Sequence, residues 1–296
     1  MGPESARVGG GEFAYRTRGA LDFIGAAIAG EPRVGPGLIA RSRLPSSAAV
    51  IVPAYNAART LERTLHSAIA AADFRVAQGP LDIEIVVVDD CSTDDTPHIA
   101  AAVAARDSRV KLIRAPENGG PGRARNIGVS QSSGTFLFFL DADDVFYPNH
   151  IHICTETLLA DDSIGYVVTR LHVDMPIHPD WRDSLDGSNP INFCVRRLWH
   201  DMIQGFAEGP DFRIHRTEDT LYRMCLRRLV NHRQIEIETC EQFVSPGNAL
   251  DRQRRKFAMP KADWLREPHD DGFVLTPAME KTVLDRLAHV MKLKGG

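Results

Sequence analysis

Apolar residues gather in short, nearly unbroken runs, and these alternate with longer stretches in which they recur every three or four positions. From Ala48, AAVIVP reads as a buried strand and AARTLERTLHSAIAAA (Ala57 to Ala72) as an amphipathic helix. The alternation then repeats. IEIVVVDD (Ile83 to Asp90) predicts a strand, TDDTPHIAAAVAAR (Thr93 to Arg106) a helix capped by Thr93 or Asp94, and RVKLIRA (Arg109 to Ala115) a strand. NGGPGRARNIGVSQSS (Asn118 to Ser133) predicts a helix entered through glycines, with Pro121 in its first turn, and TFLFFLD (Thr135 to Asp141) the next strand. Apolar strands separated by helices imply an α/β fold whose mostly parallel sheet is covered by helices on both faces. Beyond Tyr147 the pattern predicts a helix from Pro148 to Ala160, a strand from Gly165 to Val173 and a polar loop from Asp180 to Pro190. A helix over Thr217 to Asn231, an extended piece from Gln234 to Val244 and a charged helix from Ala249 to Phe257 follow. These features divide the chain into an extension (1–46), a first α/β half (47–150), a second half (151–260) and a tail (261–296).

Composition narrows the class. With 296 residues, 43% of them hydrophobic and 25% charged, the chain has the length and make-up of a globular protein with a substantial core. A net charge of −4 argues against a nucleic-acid partner, because a groove for the phosphate backbone normally leaves a basic domain. Cys91, Cys154, Cys194, Cys225 and Cys240 are odd in number and lack CxxC spacing, so reduced thiols in a cytoplasmic protein are expected. The first residues do not read as a signal peptide. The apolar stretch ALDFIGAAIAG (Ala20 to Gly30) is shorter than the roughly 20 residues a membrane helix needs and contains Asp22.

The candidate chemistry lies at strand ends. Asp89 and Asp90 end one strand, and FLFFLDADDVF carries an apolar run straight into Asp141, Asp143 and Asp144. In an open parallel sheet ligands bind beyond the carboxyl ends of strands, so the two clusters should face one crevice. Carboxylates this close repel unless a cation sits between them, and oxygen donors suit Mg²⁺ or Mn²⁺. Asp143 or Asp144 as a cap for the helix near Pro148 is the competing reading. VPAYN places Pro53, Tyr55 and Asn56 at the same edge. Tyr55 could stack a base or sugar ring, and Asp90 could accept from a base N–H.

VIVPAYNAARTLERTLHSAI, IEIVVVDDCSTDDT and ENGGPGRARNIGVSQSSGTFLFFLDADD, in that order, resemble the nucleotide-sugar domain of the family 2 glycosyltransferases, which have the GT-A fold. The likeness runs from Val50 to about Pro148. It continues more loosely through VRRLWHDMIQGFAEG and TEDTLYRMCL, which resemble the acceptor-side segment. The resemblance implies that Asp143, with Asp141, holds Mn²⁺ or Mg²⁺ as the DXD motif, Asp141 also touching ribose or sugar. It implies that Tyr55 and Asp90 hold the base, with Pro53, Asn56, Asp89, Arg125 and Asn126 nearby on the donor side. It implies an inverting displacement with Asp219 as base and Glu218 beside it, and an acceptor pocket at Gln204, Gly205 and Phe206. The donor would be a nucleotide sugar, by resemblance a uridine one, and the acceptor a glycan, a lipid-linked sugar or a small molecule.

Two departures stand out. Gln204 replaces the first glycine of the family's Gly-Gly-Phe, and Ser245 in FVSPGNALDRQ stands where relatives put a basic residue, which leaves a third metal ligand unassigned. Of the many arginines of the second half, most suit a solvated helix face. Arg252 is the first candidate for diphosphate, and peripheral contact with anionic lipid at the inner membrane face is a further expectation. The TEDT sequence is also a good helix start in its own right, with Thr217 as cap. A sugar nucleotidyltransferase would need a glycine-rich basic loop after the first strand, and a dehydrogenase a GxGxxG there; neither is present. A non-catalytic nucleotide-sugar binder remains the alternative outside enzymes.

Overall fold

The computed structural model describes residues 46–295, apart from 216, 246, 247, 265 and 267–275; the extension 1–45 lies outside the described residues. Four strands and three helices come first: β1 (Ser47–Ala54), α1 (Leu61–Ala77), β2 (Asp82–Asp89), α2 (Thr96–Ala104), β3 (Val110–Arg114), α3 (Pro121–Ser130) and β4 (Phe136–Phe139). Then follow β5 (Val145–Phe146), α4 (His150–Ala160), β6 (Ile164–Val173), α5 (Pro179–Ser188) and β7 (Phe193–Arg196). The described chain is completed by α6 (Arg197–Met202), α7 (Pro210–His215), α8 (Glu218–Leu229), β8 (Asn231–Gln242), α9 (Ala249–Phe257), α10 (Lys261–Trp264) and α11 (Pro277–Gly295).

One sheet of order β3-β2-β1-β4-β7-β6-β8-β5 runs through the molecule. Its first four strands are mutually parallel, as the alternation of strand and helix predicts. The second half mixes directions, because β7 inserts antiparallel between β4 and β6. Successive residues of β1 alternate between the two faces of the sheet. Val50, Val52 and Ala54 pack with Leu61 and Leu65 of α1, whereas Ala49 and Ile51 join Leu137, Phe139, Phe206 and Tyr222 on the other side.

Register sets the site. Ala54 pairs with Asp89 and Ile51 with Phe139, so Asp141, two residues beyond, comes level with Pro53. The helix α3 lies close under β1 at Gly128, where a Cβ would fall 2.4 Å from Ile51 Cγ2. That close approach brings the start of α3 under the strand ends.

Several expectations change. The segment expected as a polar loop from Asp180 to Pro190 is the helix α5, because Trp181 and Leu185 are buried and Asp186, 1% exposed, accepts from Leu171 N–H and pairs with Arg170 and Arg182. Neither Asp143 nor Asp144 caps α4, whose N-cap position is Asn149. The first residue before α2 is Asp95, with no side-chain cap, while Asp94 accepts from Thr96 and Ala58 N–H. Thr217 precedes α8 but its hydroxyl is buried without a partner, so it does not cap.

Candidate active site

The Asp141–Asp144 turn is built from outside. Asp144 N–H donates to Asp141 O, and the hydroxyls of Thr60 and Thr64, at the start of α1, donate to the carbonyl of Ala142 at 2.8 and 3.0 Å. Thr64 also reaches Asp144 O, and Arg63, stacked on Phe243, donates to Asp143 O at 2.7 Å. These contacts spend the backbone carbonyls and leave the carboxylates of Asp141 and Asp143 for other partners. Asp144 differs: it is 1% exposed, accepts from Phe243 N–H at 3.0 Å, and burial followed by the charges of Asp143 and Asp141 pushes its carboxyl well up. It braces the turn against the strand end after β8.

Arg125, in α3 and 3% exposed, joins the two halves of the chain. Its Nη2 donates to Asp141 Oδ1 at 2.6 Å and its Nη1 to Glu218 Oε1 at 3.4 Å. Such a fork suits two carboxylates held in one plane better than an ammonium does. Glu218 is 5% exposed, and its second oxygen, Oε2, is buried with no partner. Burial raises its carboxyl above the usual range. Asp219 keeps some exposed surface yet sits deep among protein atoms. Burial, then the charge of Glu218, pushes it up to about 7. A carboxyl tuned close to neutrality is suited to taking a proton.

Asp90 is turned inward, where its two oxygens accept from Gly119 and Gly120 N–H at 2.9 and 2.8 Å, just before α3. Asp89 is fully buried and accepts from Ser92 N–H and Arg114. Tyr55 is 53% exposed after β1, free to offer a ring face, and Asn56 (φ 50°) fixes the next turn through Thr93 N–H. Asn126 faces the segment after α6: its Oδ1 accepts from Phe206 N–H at 2.9 Å and its Nδ2 donates to Phe206 O and Glu208. Phe206 stacks on Tyr222 with centroids 4.1 Å apart and lies 5.1 Å below the Arg125 guanidinium. Gln204 and Gly205 both have φ of 64°.

Thus Arg125, Asp141, Glu218 and Phe206 touch, with Asp143 and Asp219 alongside. Asp89 and Asp90 are buried and engaged by neighbouring backbone N–H groups, and Tyr55 is exposed beyond β1. Arg252 is exposed in the first turn of α9, and Ser245 is partly exposed before it. Sequence reasoning did not find Thr60, Thr64 and Arg63; a hydroxyl pair four apart at a helix start facing a strand end is the signal they offered.

Gly205→Ala is expected to lower stability by about 1–2 kcal/mol, since an L-residue is strained at positive φ. Its Cβ would fall 2.6 Å from Asn126 Oδ1. Chemical denaturation checks this, and an unchanged midpoint would mean the loop shifts freely.

The sequence model of Glycosyl transferase family 2 matches residues 49–224. The chain belongs to that family. This glycosyltransferase is 43% identical over 264 residues to the succinoglycan biosynthesis protein ExoO of Rhizobium meliloti, covering 82% of this chain and 70% of that one. Other curated relatives, such as the hyaluronan synthase of Pasteurella multocida, match over shorter stretches, 29% identical over 154 residues in that case and covering 52% of this chain and 15% of that one. In fold, the glycosyltransferase is similar to S. aureus TarS in complex with UDP (TM-score 0.55, 21% identity, covering 81% of this chain and 70% of that one). It is also similar to the mannosyltransferase PcManGT from Pyrobaculum calidifontis in complex with GDP-Man and Mn²⁺ (TM-score 0.54, 17% identity, 95% and 84%). The fold is therefore of GT-A type. Among the described residues, no helix is long and apolar enough to cross a membrane.

Proposed function

We propose that this glycosyltransferase moves a sugar, with inversion, from a nucleoside diphosphate to an acceptor hydroxyl with the help of a divalent cation. The observation that carries the reading is the Arg125 bridge. It ties Asp141, at the end of a sheet strand, to Glu218, at the start of α8, so that the nucleotide-facing turn and the proton-accepting pair share one anchor.

The donor set fits a hard cation. Asp141 and Asp143 offer oxygen only, and burial with the neighbouring Asp141 charge raises the Asp143 carboxyl, outweighing the Arg63 charge nearby. Among the described residues no three His, Cys, Asp or Glu converge on one point, so Asp143 and Asp141 would hold Mn²⁺ or Mg²⁺ together with substrate phosphates and water. When bound, the cation would act as a Lewis acid toward the departing diphosphate.

The chain's own residues supply the rest. Tyr55 offers a stacking face to the base, and Asp90 holds the Gly119–Gly120 turn beside it. Arg125 fixes the Asp141 carboxylate. Asp219 takes the proton of the attacking hydroxyl, and Glu218, whose Oε2 is buried without a partner, accepts a second hydroxyl of the acceptor. The UDP of TarS makes a uridine donor the first candidate, and the relative in succinoglycan biosynthesis makes a growing glycan the first acceptor candidate. Five free thiols favour a reducing, cytoplasmic setting, from which an acceptor at the inner membrane face is within reach.

Incubation with Mn²⁺ and a panel of nucleotide sugars should release nucleoside diphosphate from one donor. Asp143→Ala should lower that release by about a hundredfold, the scale of losing a Lewis acid worth a few kcal/mol. Tight nucleotide binding with no release from any donor, even with glycan acceptors present, would replace the enzyme with a binding protein.

A further inference from the structure

The family match ends at residue 224, yet α11, some fifty residues further on, reaches back to the site. Met279, Val283 and Val290 of this helix are buried in the same core cluster as Phe206, Tyr222 and Cys225. On the same helix, Arg286 Nη1 donates to Gly205 O at 2.5 Å and Ile203 O at 3.4 Å, while Nη2 donates to Phe206 O at 3.0 Å. His289 Nε2 lies 3.0 Å from Met202 O.

These carbonyls need an external donor. With Gln204 and Gly205 both left-handed, the chain after α6 turns too sharply for a helix or strand ladder to satisfy Ile203, Gly205 and Phe206. Asn126 grips Phe206 from α3, and Arg286 grips the same residue from α11. The loop is pinned between two helices, and Phe206 passes that placement on to α8 through its stack on Tyr222, one turn after Glu218 and Asp219.

The geometry points to Arg286 as a positioning residue for the acceptor side of the reaction, acting through the Gln204–Phe206 loop and the stack of Phe206 on Tyr222 of α8, the helix that carries Glu218 and Asp219. It touches neither Asp219 nor the Asp141–Asp143 turn directly in any contact described above. The nucleotide site should therefore not sense its loss, whereas the alignment of Glu218 and Asp219 should. A lysine keeps the charge but cannot span three carbonyls with a planar fork. The inference rests on reading Gln204–Phe206 as acceptor-side.

The test uses the full chain with Arg286→Gln and Arg286→Lys. With the donor that the wild type turns over and water or added glycosides as acceptor, Arg286→Gln should lower kcat about tenfold, while donor KM and the affinity for UDP and GDP with Mn²⁺ stay within about twofold. Arg286→Lys should fall between the two. An unchanged kcat, or a kcat that falls only in step with nucleotide affinity and melting temperature, overturns the assignment. If the wild type releases nucleoside diphosphate from no donor, the proposed function fails by itself, and hydrogen exchange then judges the clamp. Amides of residues 204–206 should exchange about tenfold faster in Arg286→Gln while those of α3 do not change; equal exchange overturns it.

Discussion

Asp219→Asn is expected to lower sugar transfer by about a thousandfold while leaving nucleotide binding in place, because amide cannot take the proton of the attacking hydroxyl. The pH profile gives an independent check. Burial and then the Glu218 charge push the Asp219 carboxyl up to about 7, so below that value the proposed base is protonated and wild-type turnover should fall about tenfold per pH unit. The stability sign runs the other way. A carboxyl raised in the folded state stabilises the fold while it is protonated, and that contribution is lost as pH climbs through about 7. Asp219→Asn should therefore melt higher than the wild type at pH 8 and converge with it in acid. Retained activity in this variant would move the base to Glu218.

Arg125→Leu should cost about 3–5 kcal/mol of stability and remove activity, because it strands buried Glu218 without its counter-charge. Only 7% of the Glu218 side chain and 4% of that of Arg125 are exposed, so water cannot take over. Adding Glu218→Gln to Arg125→Leu should restore part of the stability and none of the turnover. That non-additivity is the mark of two groups in one network. Urea unfolding of the four proteins closes the cycle, and additive losses would show that the bridge carries little energy.

The parallel half of the fold was legible because each of its elements satisfies a local rule. Its two central strands carry unbroken buried runs, AAVIVP and FLFFL, and Pro121 stands at the first position of α3. The charged helix Ala249–Phe257 likewise follows its own amphipathic spacing. What local pattern could not give is the part held by distant contacts. The helix α5 is a polar sequence made helical by what Trp181, Arg182 and Asp186 touch, and β7 is four residues long, too short to show a period. The helix α11 did carry a signal, with Met279, Val283, Leu287 and Val290 at helical spacing. For the site, the apolar run ending in Asp141, Asp143 and Asp144 marked the acidic turn, while Asp89 and Asp90 prove to be buried on internal partners. The pairing of Arg125 with Glu218 spans 93 positions, and no spacing rule reaches across that distance; nor does one show that Asn126 faces Phe206.

The continuity of the sheet across residue 150 has a practical meaning for dissecting this enzyme. A fragment ending there would lose β7, leaving Phe136–Phe139 as a bare margin of four aromatic and aliphatic residues ready to pair with other chains. It would also keep Arg125 without one of its two anions. The two halves cannot be separated here by scissors, and any exchange of specificity between relatives has to be made by replacing side chains within an intact sheet.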